Sequence, residues 1–172
     1  MVFKALVWAM QERADIISMS LGFDFPGMVD GMVKDGWPAD LATSTALEAY
    51  RGNLCMFDAI MNMLKAQRAF GVWPLVVAAA GNESRRQLNA SYRIAASLPA
   101  AADDVLSVAA FGQGQGTYEV AAFSNTLALL SAPGVDITSA WLGCPRRSRT
   151  EPPRRLNRDP GVEADAAMVG CG

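Results

Sequence analysis

The chain has 172 residues, 51% hydrophobic and 19% charged, with 17 acidic side chains, 15 basic ones and a formal charge of −2. That length suits one domain with a sizeable core, the usage argues against a disordered or fibrous protein, and the near-neutral balance gives no reason to expect nucleic acid or an anionic membrane as partner. The sequence contains no histidine, which excludes a complete Ser–His–Asp triad, a Cys–His dyad and any other imidazole chemistry within it.

Phe3, Leu6, Val7 and Met10 recur at helical spacing and predict an amphipathic helix at the start of the chain. The apolar run Ala5–Met10 lies between Lys4 and the pair Glu12-Arg13, too short for a signal segment or a membrane span. The chain therefore reads as soluble, with no pointer to a location. Asp15 to Met19 predicts a short strand, and Ser20-Leu21-Gly22 a loop after it. Residues 23–38, punctuated by Gly27, Gly31, Gly36 and Pro38, read as loop. Two helices follow, Ala39 to about Tyr50 and about Leu54 to Phe70, the second with Leu54, Phe57, Ile60, Met61 and Leu64 on one face and Gly71 as its stop. Met56, Met61 and Met63 suit adaptable core filling better than a partner groove.

Leu75 to Ala80 is a continuous apolar run, the pattern of a strand buried on both faces, and it ends at Gly81-Asn82. Val105 to Ala110 is a second such strand, and Leu127 to Leu130 a weaker third, closed by Ala132-Pro133-Gly134. Helix and strand alternate, so the predicted fold class is α/β: a partial doubly wound parallel sheet of about four strands with helices on both sides. The last residues differ. Between Cys144 and Arg158 stand six arginines, three prolines and one acid, with no periodicity. We divide the chain into a folded part, 1–143, and an arginine- and proline-rich tail, 144–172. The tail reads as disordered or as translated out of frame; it has no aromatic residue for stacking on nucleic acid.

Gly112, Gly114 and Gly116 follow a strand, but Thr117 holds the place of the third glycine of a dinucleotide fingerprint and no helical stripe comes after it. A turn between elements is the better reading. Asp103-Asp104 reads as a solvated loop and not a metal pair, and Ser84-Arg85-Arg86 is at most a weak anion site. Cys55, Cys144 and Cys171 are odd in number and lack CxxC spacing, so neither a disulfide framework nor a zinc site is expected, and no other metal or cofactor. Asn82 stands apart. It ends a buried strand beside a glycine, at the carboxyl end of a parallel strand where ligands collect, and a neutral amide there suits developing negative charge, although taken alone a strand-ending Asn more often serves as a turn residue.

Five segments in order resemble the subtilisin-like serine peptidases: Ala14 to Gly22, Val76 to Asn82, Leu98-Pro99-Ala100 leading to Val105–Ala110, Ala122-Phe123-Ser124-Asn125, and Ala132 to Ile137 ending in Ser139. The resemblance covers roughly residues 3–142, and the helical stretch 23–72 looks like an insertion beyond the simplest members. It implies that Asn82 is the oxyanion-hole amide, that Ser20, Leu21 and Gly22 pair with the substrate backbone as an added strand, and that Ala79, Ala80 and Gly81 line the primary specificity pocket. The departures concern the triad. No D-[ST]-G turn, no HG pair and no Gly-Thr-Ser occurs, so the related Ser–Glu–Asp peptidases are not matched either. The resemblance therefore implies a groove and an oxyanion donor without nucleophile or base. The expected partner is a peptide or protein segment, with a complementing chain as a possible source of the triad. A noncatalytic peptide-binding module is the alternative. In the family the sheet continues beyond the strand at Ile16, so the resemblance implies an unprotected apolar edge there and predicts low solubility or self-association.

Overall fold

The structure is a computed structural model, described here for residues 2–67, 71, 74–114 and 116–137. Its elements are α1 (Val2–Gln11), β1 (Ile16–Met19), α2 (Phe25–Lys34), α3 (Ala39–Gln67), β2 (Leu75–Ala79), β3 (Leu106–Gln113), β4 (Tyr118–Val120) and β5 (Leu130–Pro133). Four strands, β1, β2, β3 and β5, are joined by parallel pairings, and β4 adds to β3 in antiparallel sense. The order is β1-β2-β3-β4 with β5 also paired to β3. The expected α/β class and the four parallel strands are both present.

Parallel neighbours need a crossover, and α2 and α3 supply it between β1 and β2. Residues 23–38, read from the sequence as loop, contain α2. Its start explains the difference: Asp24 caps the helix, its Oδ1 accepting from the Gly27 N–H at 2.8 Å, and Pro26 sits in the first turn where its missing N–H costs nothing. The cap and the proline outweigh two glycines inside the helix. The two helices expected over 39–70 are one, of 29 residues. Gly52 faces open space and its neighbour Asn53 returns its side-chain amide to the Ala49 carbonyl at 2.9 Å, so the helix passes the glycine unbroken.

One apolar cluster joins Leu6 of α1, Phe57, Ile60, Met61 and Leu64 of α3, Met19 of β1, Val76 and Ala78 of β2, and Leu98, Ala100, Ala102 and Val105 from the segment before β3. Of the three methionines, Met61 belongs to this core while Met56 and Met63 stay exposed. The strands are not buried on both faces, as their unbroken apolar runs suggested. Along β2, Val76 and Ala78 are buried while Leu75 and Ala79 are exposed, and Ser107 and Ala109 alternate with half-exposed neighbours in β3. The last strand lies later than expected. Leu127 takes a positive φ of 59° and is exposed, and the residues read as a closing turn, Ala132-Pro133, are in β5. Pro133 is tolerated because β3 is the only strand paired with β5 among the described residues.

By density of internal packing the chain divides into residues 1–134 and 135–172. The boundary expected near 143, and the tail after it, lie outside the described residues. No described helix is long and apolar enough to cross a membrane.

Candidate functional site

The parallel strands end on the side where the chain leaves β1 at Ser20-Leu21-Gly22 and β2 at Ala80-Gly81-Asn82. Both segments were singled out from the sequence, and the fold brings them towards common neighbours. A Cβ built on Gly22 would lie 3.7 Å from Ser97 Oγ and 3.9 Å from Glu83 Oε1; one built on Gly81 would lie 2.9 Å and 2.5 Å from Ser97 Oγ and Glu83 Oε2. Gly22 and Gly81 therefore flank the same hydroxyl and carboxylate. Gly81 needs to be glycine on two counts, its φ of 110° and this crowding.

Each predicted residue has a definite place. Ser20 and Gly22 are exposed and Leu21 is half-buried. Phe23, the next residue, anchors the segment by donating its N–H to the Leu98 carbonyl at 3.0 Å. Ala79 is exposed at the end of β2. Ala80 is buried, donates to the Val108 carbonyl and accepts from the Ser97 N–H, both at 2.8 Å. Asn82 is exposed, and its backbone N–H donates to Glu83 Oε2 at 2.9 Å. These residues form the rim of the strand ends.

Three residues of the site were not singled out from the sequence. Glu83 carries the carboxylate between the glycines. Ser97 is buried, and its Oγ has no hydrogen-bond partner among the described residues. Asn125, fully buried, accepts at Oδ1 from the Glu83 N–H at 3.1 Å and from Ser84 Oγ at 3.2 Å, and donates from Nδ2 to Glu83 Oε2 at 2.7 Å. Its backbone N–H also donates to the Gly81 carbonyl at 2.9 Å. The only advance signal was position: Glu83 adjoins Asn82, Ser97 precedes Leu98-Pro99, and Asn125 ends one of the segments that carried the resemblance.

The weaker candidates resolve into ordinary structure. Gly112 lies in β3, and Gly114 and Gly116 turn the chain into antiparallel β4, so no helix N-terminus faces them for a pyrophosphate. Asp104 pairs with Lys65 at 2.6 Å, and Asp58 accepts from the Asp103 N–H at 3.3 Å. Arg85 pairs with Asp30 at 3.3 Å, while Arg86 spends its guanidinium on the carbonyls of Ala121 and Ser124. Among the described residues no three His, Cys, Asp or Glu side chains gather as a metal site would need. An open depression of about 250 Å³ is lined by Glu83 together with Pro26, Tyr92, Arg93 and Ile94; neither Gly22 nor Asn82 lines it.

Comparison with known proteins gives one match and one blank. No curated protein matches the chain. The model of the subtilase family of peptidases matches residues 1–156, running past Gly143 into the arginine-rich stretch. With that span, and with a mostly parallel sheet and flanking helices, the chain belongs to the subtilase family, peptidase S8.

Proposed function

We propose that this chain is a middle portion of the catalytic domain of a subtilisin-like serine endopeptidase, and that by itself it binds the substrate segment without hydrolysing it. Ser20, Leu21 and Gly22 offer backbone to an extended peptide, Ala79 to Gly81 flank the side-chain pocket, and Asn82 is the oxyanion donor. The observation that carries this reading is the approach of Gly22 and Gly81, 59 residues apart in sequence, to the same Ser97 hydroxyl and Glu83 carboxylate. Glycine at both positions lets that hydroxyl and carboxylate come close to the backbone at the ends of β1 and β2.

The chemistry stops at binding. Acyl transfer needs a nucleophile activated by a base, and the sequence has neither the Gly-Thr-Ser nucleophile segment nor any histidine. An oxyanion donor stabilises charge that only an attacking nucleophile creates. Incubating the full chain with a chromogenic peptide is expected to give no turnover above buffer. Hydrolysis abolished by a serine-directed phosphonate would overturn the proposal of inactivity.

A noncatalytic peptide-binding module is the second reading. It is favoured by β1, which has a strand partner on one side only among the described residues, with Ser20 to Gly22 continuing beyond it. An extended peptide adding to such an edge gains main-chain hydrogen bonds whatever its sequence. Saturable binding of an extended peptide, weakened by Leu21→Pro, is expected under both readings. Recovery of hydrolysis when a chain carrying the missing triad residues is supplied separates them, because only the peptidase portion gains activity.

A further inference from the structure

We propose that Asn125 is a positioning residue that sets the turn at Asn82 by acting through Glu83. The proposal rests on Asn82 being the oxyanion donor.

The turn after β2 has little secondary structure of its own to fix it. What holds residues 81–86 is a series of bonds to residues 121–125. The Gly81 carbonyl accepts from the Asn125 N–H at 2.9 Å, the Ser84 N–H donates to the Phe123 carbonyl at 3.2 Å, and the Arg86 N–H donates to the Ala122 carbonyl at 2.9 Å. Within that frame the Asn125 side chain makes the contacts that reach Asn82. Its Nδ2 and the Asn82 N–H both donate to the one oxygen Oε2 of Glu83, at 2.7 Å and 2.9 Å. Its Oδ1 takes the Glu83 N–H from the other side. Glu83 is thus held at both its backbone and its carboxylate, and the carboxylate in turn orients the backbone on which Asn82 sits. A side-chain amide does this with its donor and its acceptor on two separate atoms. Donor and acceptor are needed at once, and a buried group offering one of the two would leave a polar partner unsatisfied.

The decisive variant is Asn125→Asp, which keeps shape and Oδ1 but replaces the donor Nδ2 with an oxygen facing Glu83 Oε2. At neutral pH two carboxylates meet and the orientation is lost; on acidification one proton bridges the pair and the donor returns. Other charges border Glu83: Arg85, already paired with Asp30, and Arg93, with Tyr92 beside them. Wild type, measured at each pH, is the reference for any effect of these groups.

In the full chain labelled with ¹⁵N, the amide protection of Asn82, corrected for intrinsic exchange, is expected to fall about tenfold or more in Asn125→Asp at pH 7, the effect of losing a hydrogen bond to a charged group, and to return near about pH 4.5. Affinity for an extended peptide follows the same course. Glu83→Gln, at a half-buried position, covers the case in which Asn125→Asp does not fold; it offers the same two donors a neutral oxygen in place of a charged one and is expected to lower Asn82 protection while Ala109 in β3 stays protected. Ser84→Ala removes a hydroxyl that reaches Asn125 only at Oδ1 and otherwise accepts from the Ile94 N–H, and is expected to leave Asn82 unchanged. Loss of Asn82 protection in a chain that binds no peptide would keep the positioning role and refute the binding reading. Unchanged protection and affinity in both variants, or a loss in Asn125→Asp that acidification does not restore, would overturn the positioning role.

Discussion

On one face of the sheet, Ile17 and Met19 of β1 and Val76 and Ala78 of β2 meet the side chains of α1 and α3. On the other, the paired registers line up Ile16 with Leu75, Val77 with Leu106, and Val108 with Leu130, and Ile16, Leu75 and Leu130 remain 63%, 44% and 52% exposed. The two faces are built from the same β-branched and aliphatic residues. Among the described residues, what distinguishes them is whether a helix lies on top. Burial is thus set by tertiary placement and not by residue type, and the apolar runs of β2 and β3 mark a sheet whose second face suits cover as well as its first.

The largest contrast to measure is between truncations on the two faces. Leu64, 1% exposed in α3, is expected to cost about 2–5 kcal/mol on replacement by Ala, from lost transfer energy and the cavity left behind. Leu75→Ala, on the uncovered face, is expected to cost about 1 kcal/mol or less, because its side chain is already partly in water. Urea unfolding of both variants checks this. Equal losses would mean that the second face is buried in solution, by self-association or by some other partner, and would end the comparison as stated.

A smaller effect tests what the uncovered face does. β1 is an edge among the described residues, and Ile16-Ile17-Ser18-Met19 carries none of the lysines or prolines by which natural edges avoid pairing. The chain is expected to associate, and Ile16→Lys to move most of it to the monomer position on sizing at about 100 µM, since one charge suffices to block an edge. A wild type that already elutes as a sharp monomer and melts cooperatively would show that the edge is harmless.

How much of this was legible beforehand depended on the kind of signal. The stripe Phe57, Ile60, Met61, Leu64 fixed both a helix and its buried side, because helical periodicity records a one-sided environment. The run Leu75–Ala80 named a strand but misjudged its burial, because an unbroken apolar run has no period to report which face is covered. α2 was hidden behind its glycines although Asp24 and Pro26 marked its start. At the proposed site, Asn82 stood out from its place at a strand end, and the two glycine-bearing segments came from the family resemblance. Asn125 could not, because its role is a meeting of turns 42 residues apart that no local pattern encodes.

The smallest expected effect sits at the margin of the covered face. Tyr50 in α3 is half-buried against that cluster, edge-on to Phe23 at 5.6 Å and to Phe25 at 6.4 Å between ring centroids. Burial raises its phenol pKa above the ordinary value, because the anion would lose hydration. The folded state therefore holds the proton more tightly than the unfolded one, and the sign follows from linkage. The stabilisation is complete below the unfolded pKa of about 10 and is lost as pH rises from there through the folded value. Tyr50→Phe keeps both ring contacts and removes the titration. Its melting temperature is expected to match wild type near neutral pH and to exceed it at alkaline pH, by a margin that grows until the folded phenol ionises. Parallel curves for the two proteins would place Tyr50 in water, outside the covered margin, and shrink the buried face to the residues between α1, α3 and β2.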